Sequence, residues 1–208
     1  MKKMMKLSHA NFLRMVAAFV MAGLFAQGVT QAQSKWTVDK VHSTVKFSVQ
    51  HLVISEVEGS FRNFDGSIVS KNDDFTDAII EFSVDVNSIN TDNEMRDNHL
   101  KSDDFFNVGK FPKMTFKSKS FKKVSGNKYE LIGDLTIRDV TKPVKFDVVY
   151  GGTVKDPYGN IKAGFKATTV INRFDYGLKW SALTEAGGAV VGNEVNVVLK
   201  LEFAKVQQ

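Results

Sequence analysis

Four histidines occur in the chain, and only His42, His51 and His99 lie beyond an apolar N-terminal stretch. Proton transfer or metal chemistry would have to draw on these three. Nucleophilic catalysis needs a Ser, Thr or Cys beside a base that is itself oriented by an acid. Ser43 follows His42 directly, with Asp39 three residues earlier, but neighbours along an extended chain point apart. No Gly-x-Ser-x-Gly elbow surrounds Ser43, so local turn or backbone hydrogen bonds at the start of a strand account better for Asp39 and Ser43. For zinc, His42 and His51 stand on opposite parities, roughly 30 Å apart if the segment is straight, and a ligand set would need a bend plus the distant His99. The pairs Asp73-Asp74 and Asp103-Asp104 sit in polar loops, where solvated faces explain them better than acid–base work. No phosphate-cradling glycine loop is present. The residues therefore predict no catalytic group, no metal and no enzyme. His51 shares the parity of Val45, Phe47 and Val49, so it either meets a ligand headgroup or satisfies a backbone carbonyl.

The elements that would hold such side chains are almost all strands. Apolar and polar residues alternate through eight runs: 44–51, 57–69, 77–86, 112–121, 128–138, 143–150, a seventh carrying Phe165, Ala167, Thr169 and Ile171, and an eighth carrying Val195 to Phe203. In the second run Val57 and Phe61 are odd while Phe64 and Ile68 are even, which predicts a β-bulge at Arg62–Asn63. Gly126-Asn127 suits a tight hairpin, and 156–160 a turn. One short helix interrupts, with Thr91-Asp92-Asn93-Glu94 as a capping box, Thr91 as N-cap and an Asp92–Arg96 pair. Its Met95, His99 and Leu100 can plug one end of a barrel but cannot cover a sheet. Short connections make the sheet antiparallel, leaving two architectures: a filled sandwich or an up-and-down eight-stranded barrel around a cavity. The 17 Phe, many at inward parity, favour the cavity.

The first 32 residues read as an export signal. Lys2, Lys3, Lys6 and Arg14 precede the apolar Met15 to Ala26, with cleavage expected near Ala32 and an N-terminal anchor as the other reading. Twelve apolar residues are too few to span a bilayer stably. Losing the leader's four Lys and Arg leaves 24 basic against 23 acidic residues, so the net charge of +5 falls to +1. That near-neutral balance excludes a typical nucleic-acid partner. The absence of cysteine excludes disulfides and a lipid-modified N-terminus. Residues 33–208 suit one domain, and its oligomeric state is not legible.

Inward parity names Val45, Phe47, Val49, Phe82, Val84, Phe116, Leu135, Phe146, Phe165 and Leu199 as cavity lining, with His51 and Arg173 as headgroup contacts. The apolar loop 178–192, with Trp180 and Leu183, is either a Gly-hinged lid or a loop packed on the rim. Taken in order, Asp39 to Phe47, Arg96 to Leu100 with Ser102 to Phe106, Pro112 to Ser118, Gly133 to Ile137 before Val140 to Val144, and Ala163 to Phe165 before Asn172 to Gly177 resemble the YceI family. Arg138-Asp139 departs from it, since the family more often has His-Gly there. The resemblance implies a lipocalin-like antiparallel barrel, exported to the periplasm, that holds a polyisoprenoid or other long-chain lipid such as a quinone or polyprenyl chain, with no other cofactor. It thus implies a carrier or sequestering protein. The alternatives are a lipid-modifying enzyme using His42 or His99, and a filled-core stress-response interaction domain.

Overall fold

A computed structural model describes residues 33–185 and 187–207; the expected leader and its cleavage point lie outside them. The described residues belong to one compact unit, Gln33–Gln208. Its strands are β1 (Ser34–Val38), β2 (Thr44–His51), β3 (Ser55–Phe61), β4 (Phe64–Ser70), β5 (Ile79–Asp85), β6 (Ile89–Asn90), β7 (Lys113–Ser125), β8 (Lys128–Ile137), β9 (Val140–Lys155), β10 (Ile161–Asn172) and β11 (Val191–Lys205). Every pairing is antiparallel, and β11 pairs with β10 on one side and with both β1 and β2 on the other. Because β1 also pairs with β4, and β2 with β3, the sheet closes on itself. Three of the staves are bent: β1 runs into β2, β3 into β4, and β5 into β6. Counted as staves, the barrel has eight strands. A closed ring leaves no free sheet edge, which rules out the sandwich.

Each bend has a local cause. At the first, the Asp39 carboxylate accepts the Val41 N–H (3.0 Å), closing a turn before β2. The second falls at Arg62–Asn63, where a bulge was expected; those two residues stand opposite four, 85–88, so the surplus is on the facing strand. There the Arg62 N–H reaches the Ser88 carbonyl (3.2 Å), the Asn63 N–H reaches the Ser88 hydroxyl (2.9 Å), and the Asp85 N–H reaches the Asn63 carbonyl (2.9 Å). The backbone groups that leave the ladder here are thus bonded to the third bend, a single 3-10 turn at Val86–Ser88. β1 escaped the sequence reading because five residues with one buried ring, Trp36, carry too little alternation.

Helix α1 (Glu94–Lys101) differs from expectation at its start. Asn93, not Thr91, is the N-cap, accepting the Arg96 N–H at 3.0 Å. Thr91 is buried and donates its hydroxyl to Asp97 (2.6 Å) while accepting from Arg96 Nε (2.8 Å). Arg96 is therefore spent on Thr91 rather than on Asp92, whose carboxylate meets Asn90. Met95 points outward and is exposed; Leu100 packs inward.

The two barrel ends are built differently. At one, Phe75 is 1 % exposed and packs its ring against Trp36 (5.2 Å), Tyr150 (5.6 Å) and Phe165 (5.3 Å). Phe75 sits at φ 62, a costly conformation for a non-glycine residue. Asp77 holds that loop by accepting the N–H groups of Lys71 (2.9 Å) and Asn72 (3.1 Å), and the Tyr129 hydroxyl donates to the Asp74 carbonyl (2.9 Å). At the other end lie α1, the β2–β3 turn and the loop between β10 and β11.

Candidate functional site

All ten apolar residues expected from parity border one cavity inside the barrel. Its volume is about 210 Å³ and its wall is almost entirely carbon. At about 30 Å³ per water- or methylene-sized occupant, it has room for roughly seven such groups. Phe47, Phe82, Phe116, Leu135, Phe165 and Leu199 point inward and yet are only half-buried, because they face this void instead of one another. Among the described residues no buried side-chain nitrogen or oxygen lacks a hydrogen-bond partner. The interior therefore offers a guest dispersion contact and water exclusion, and no polar group waiting for a partner.

Next to it is a wider hollow of about 480 Å³ between α1, the end of β2 and residues Trp180, Val190 and Val191. The two spaces share Phe47, Val49, Leu100, Phe105 and Val191, so the hollow is the vestibule of the cavity. His51 borders this vestibule and not the inner cavity. Parity placed its face correctly, but β2 ends there, at the mouth. His99 stands in the same vestibule. Its ring is edge-on to Phe105 (5.1 Å) and Trp180 (5.4 Å), and its Nε2 lies 2.8 Å from Asp104 Oδ2. Trp180 also packs on Phe105 at 5.6 Å, so the long loop is seated on the rim through its indole. Leu183, the other side chain expected to close the cavity, is 70 % exposed and points away.

Arg173 explains how that loop is held. It is 4 % exposed and follows β10 in a short 3-10 turn, Arg173–Tyr176. Its Nε donates to the Gly192 carbonyl (2.8 Å), Nη1 to Leu178 and Trp180 (both 2.7 Å), and Nη2 to Val191 (3.1 Å). Burial lowers its pKa, and four carbonyl dipoles compensate the desolvated charge. Arg173 also borders the inner cavity, with these guanidinium N–H groups engaged by loop carbonyls. Tyr176 beneath it is fully buried, and that burial, with Asp175 adding to it, pushes its phenol up to about 12.

A second polar device went unread in the sequence. Arg138 occupies the β8–β9 turn at φ 56 and donates to the carbonyls of Phe105 (3.1 Å) and Gly177 (3.0 Å). Its guanidinium also lies over the Phe111 ring at 5.4 Å. Where the resemblance expects His-Gly, this side chain staples three segments at the mouth end.

The triad candidates are brought together, but as structure. Asp39 Oδ2 meets His42 Nδ1 (3.1 Å) and Lys162 Nζ (2.6 Å), and Lys162 reaches Glu202 Oε1 (3.2 Å). Ser43 is buried and bonded to the backbone of Glu202, accepting its N–H at 2.9 Å. Asp39, His42 and Glu202 could face one cation, and the Lys162 ammonium already stands beside both carboxylates. Lys162 first, and His42 second, hold the Asp39 carboxyl well below the usual carboxylate range; Asp39 in turn raises Lys162. Since Asp39 lies between β1 and β2, Lys162 on β10 and Glu202 on β11, the network rivets the seam where the barrel closes. Sequence could not join residues 39, 162 and 202, because only the β10–β11–β1 closure brings them together.

Known proteins share this build. The UPF0312 protein of Staphylococcus aureus strain N315 is 40 % identical over 172 residues, spanning 82 % of this chain and 98 % of that protein. A YCEI protein of Campylobacter jejuni, known as a crystal structure, superposes with a TM-score of 0.64 at 32 % identity, over 76 % of this chain and 90 % of that one. A polyisoprenoid binding domain from Saccharophagus degradans, implicated in plant cell wall breakdown, gives a TM-score of 0.59 at 17 % identity, over 82 % of this chain and 98 % of that one; it shares the fold. The profile of the YceI-like domain matches residues 36–203, and the chain belongs to that family.

Proposed function

We propose that this protein is a non-enzymatic carrier or sequestering protein that holds a long-chain amphipathic lipid of the isoprenoid type, tail inward, and that it works after export to the periplasm. One observation carries the reading: a cavity of about 210 Å³ inside the barrel with a carbon wall. Burying about seven methylene-sized groups of the tail there, at about 0.8 kcal/mol each, yields roughly 6 kcal/mol. Association costs about 4–15 kcal/mol, so useful affinity requires the rest of a longer chain to be buried along the adjoining 480 Å³ hollow as well. Shorter amphiphiles would bind weakly, and a guest with a charged group in mid-chain would be refused. The shared fold with a polyisoprenoid binding domain supports an isoprenoid over other tails. The vestibule, with His51 and His99, suits a headgroup left at the mouth.

Native mass spectrometry of protein purified from its host, followed by loading with an isoprenoid quinone, tests this. A copurifying lipid and stoichiometric uptake are expected. Protein that emerges empty and takes up neither a quinone nor a polyprenol would overturn the proposal. The mass of the exported form should correspond to a chain beginning at Gln33; recovery from the cytoplasm with residues 1–32 intact would sink the export part alone.

A further inference from the structure

Three glycines on the inner wall of the barrel each lie under a phenylalanine ring. A Cβ built on Gly59 would fall 2.7 Å from Cε1 of Phe47; on Gly66, 2.7 Å from Cε2 of Phe82; on Gly133, 2.7 Å from Cε2 of Phe116, with one further atom of each ring closer still. Real Cβ atoms do not approach so closely, so each ring occupies the room a side chain would have taken. Gly59 is paired directly with Phe47, and Gly66 with Phe82; Gly133 faces Ser118, two residues along β7 from Phe116. The three rings all border the cavity. They lie across the wall instead of projecting into the lumen, over the arc formed by β2 to β8. On the opposite arc, β10 and β11, the wall includes the small or branched Ala167, Thr169, Val195 and Val197.

We infer that Gly59, Gly66 and Gly133 set the bore of the cavity, and that the recess they give Phe47, Phe82 and Phe116 is what admits a methyl-branched prenyl chain rather than only an unbranched acyl chain. This rests on the lipid-binding reading above and adds the feature of the tail that is selected. A prenyl chain carries a methyl group on every fourth backbone carbon and is wider there than a polymethylene chain. A ring turned inward by a methyl group on the wall would take up that width. An unbranched chain would still pass.

Gly66 is the position to change, because a Cβ there meets only Phe82 atoms, whereas at Gly133 it also meets the Lys117 carbonyl and at Gly59 the Thr91 methyl. The stacked Phe64 ring, 5.7 Å away, stands on one side of Phe82, and the lumen is the open space into which it can turn. Wild type, Gly66→Ala and the double variant Gly66→Ala/Phe82→Leu are titrated with geranylgeraniol and with hexadecanol. Gly66→Ala is expected to lose at least tenfold in geranylgeraniol affinity relative to hexadecanol, and the double variant to recover the wild-type ratio. An unchanged ratio in a folded Gly66→Ala overturns the inference. If Gly66→Ala does not fold, the folded double variant decides, since it keeps the added methyl without the ring. A double variant that prefers hexadecanol also overturns the inference. Wild type that binds neither alcohol refutes the lipid-binding reading itself, a result separate from either of these.

Discussion

Arg173 and Lys162 show that the charged side chains with the largest structural effect here point at the protein itself. Arg173 gathers four carbonyls from residues 178–192. Arg173→Met would leave those carbonyls to water or to nothing, at about 1–3 kcal/mol for a buried unmet group. Stability should fall by roughly 2–4 kcal/mol. Amide exchange should accelerate in 178–192 before it does elsewhere, and unchanged exchange in that loop would count against its role as the anchor. Lys162→Met tests the seam. Asp39 has its pKa depressed in the folded state, so its contribution is complete above the ordinary carboxylate value of about 3.9 and disappears as pH falls through its lower folded value. Lys162 is raised, so its own contribution is complete below about 10.4 and fades only as pH climbs through its higher folded value. Wild-type stability should therefore decline from about pH 4 downward, and Lys162→Met should be less stable at pH 7 by about 1.5–3 kcal/mol with a shallower acid slope. Parallel acid curves for the two proteins would contradict this account of the seam.

At the scale of elements, the strands were legible because one face of each meets carbon and the other meets water, so that Val195, Val197, Leu199, Leu201 and Phe203 declare their own geometry. The phase slip between Phe61 and Phe64 announced a bend there for the same reason, although the surplus residues proved to lie on the facing strand, at 85–88. What alternation could not disclose was anything set by a partner distant in sequence. Thr91 resembled a cap by composition, yet Asp97 and Arg96 claim its hydroxyl, and Asn93 takes the helix end instead. Trp180 and Leu183 read alike as greasy loop residues. The contacts with His99 and Phe105 separate them, and those contacts come from α1 and the segment after it. Trp180→Ala should leave the fold intact and speed release of a bound prenyl lipid roughly tenfold, since about 1.4 kcal/mol of ring contact corresponds to one decade in rate. Stopped-flow transfer of a fluorescent quinone analogue to acceptor vesicles would measure it. Leu183→Ala, changing an exposed side chain, should leave the rate within about twofold.

For the whole molecule, closure was inferred from an absence of long helices to cover eight one-sided strands, and the β11 pairings with β1 and β2 supply it. The lining followed from parity because a barrel has a single inside. Its emptiness rested on composition alone, the many Phe at inward parity, since volume depends on where rings come to rest and alternation says nothing about that. A wall that exposes almost only carbon to its guest, with the bordering Arg173 bonded to loop carbonyls, should bind a neutral prenyl lipid with the same affinity at low and high salt, and with a negative heat-capacity change, both read by calorimetry. Affinity that falls steeply with added salt would place the main contact on charged surface instead of in the cavity.

The stopper of aromatic rings around Phe75 has a directional consequence. With Trp36, Tyr150 and Phe165 wedged against it, the barrel is a cul-de-sac and not a conduit. On the carrier reading proposed above, cargo that enters tail first would have to back out headgroup first through the doorway it came in by. A single molecule could then shelter or ferry a lipid, but could not hand one straight through from a donor on one side to an acceptor on the other.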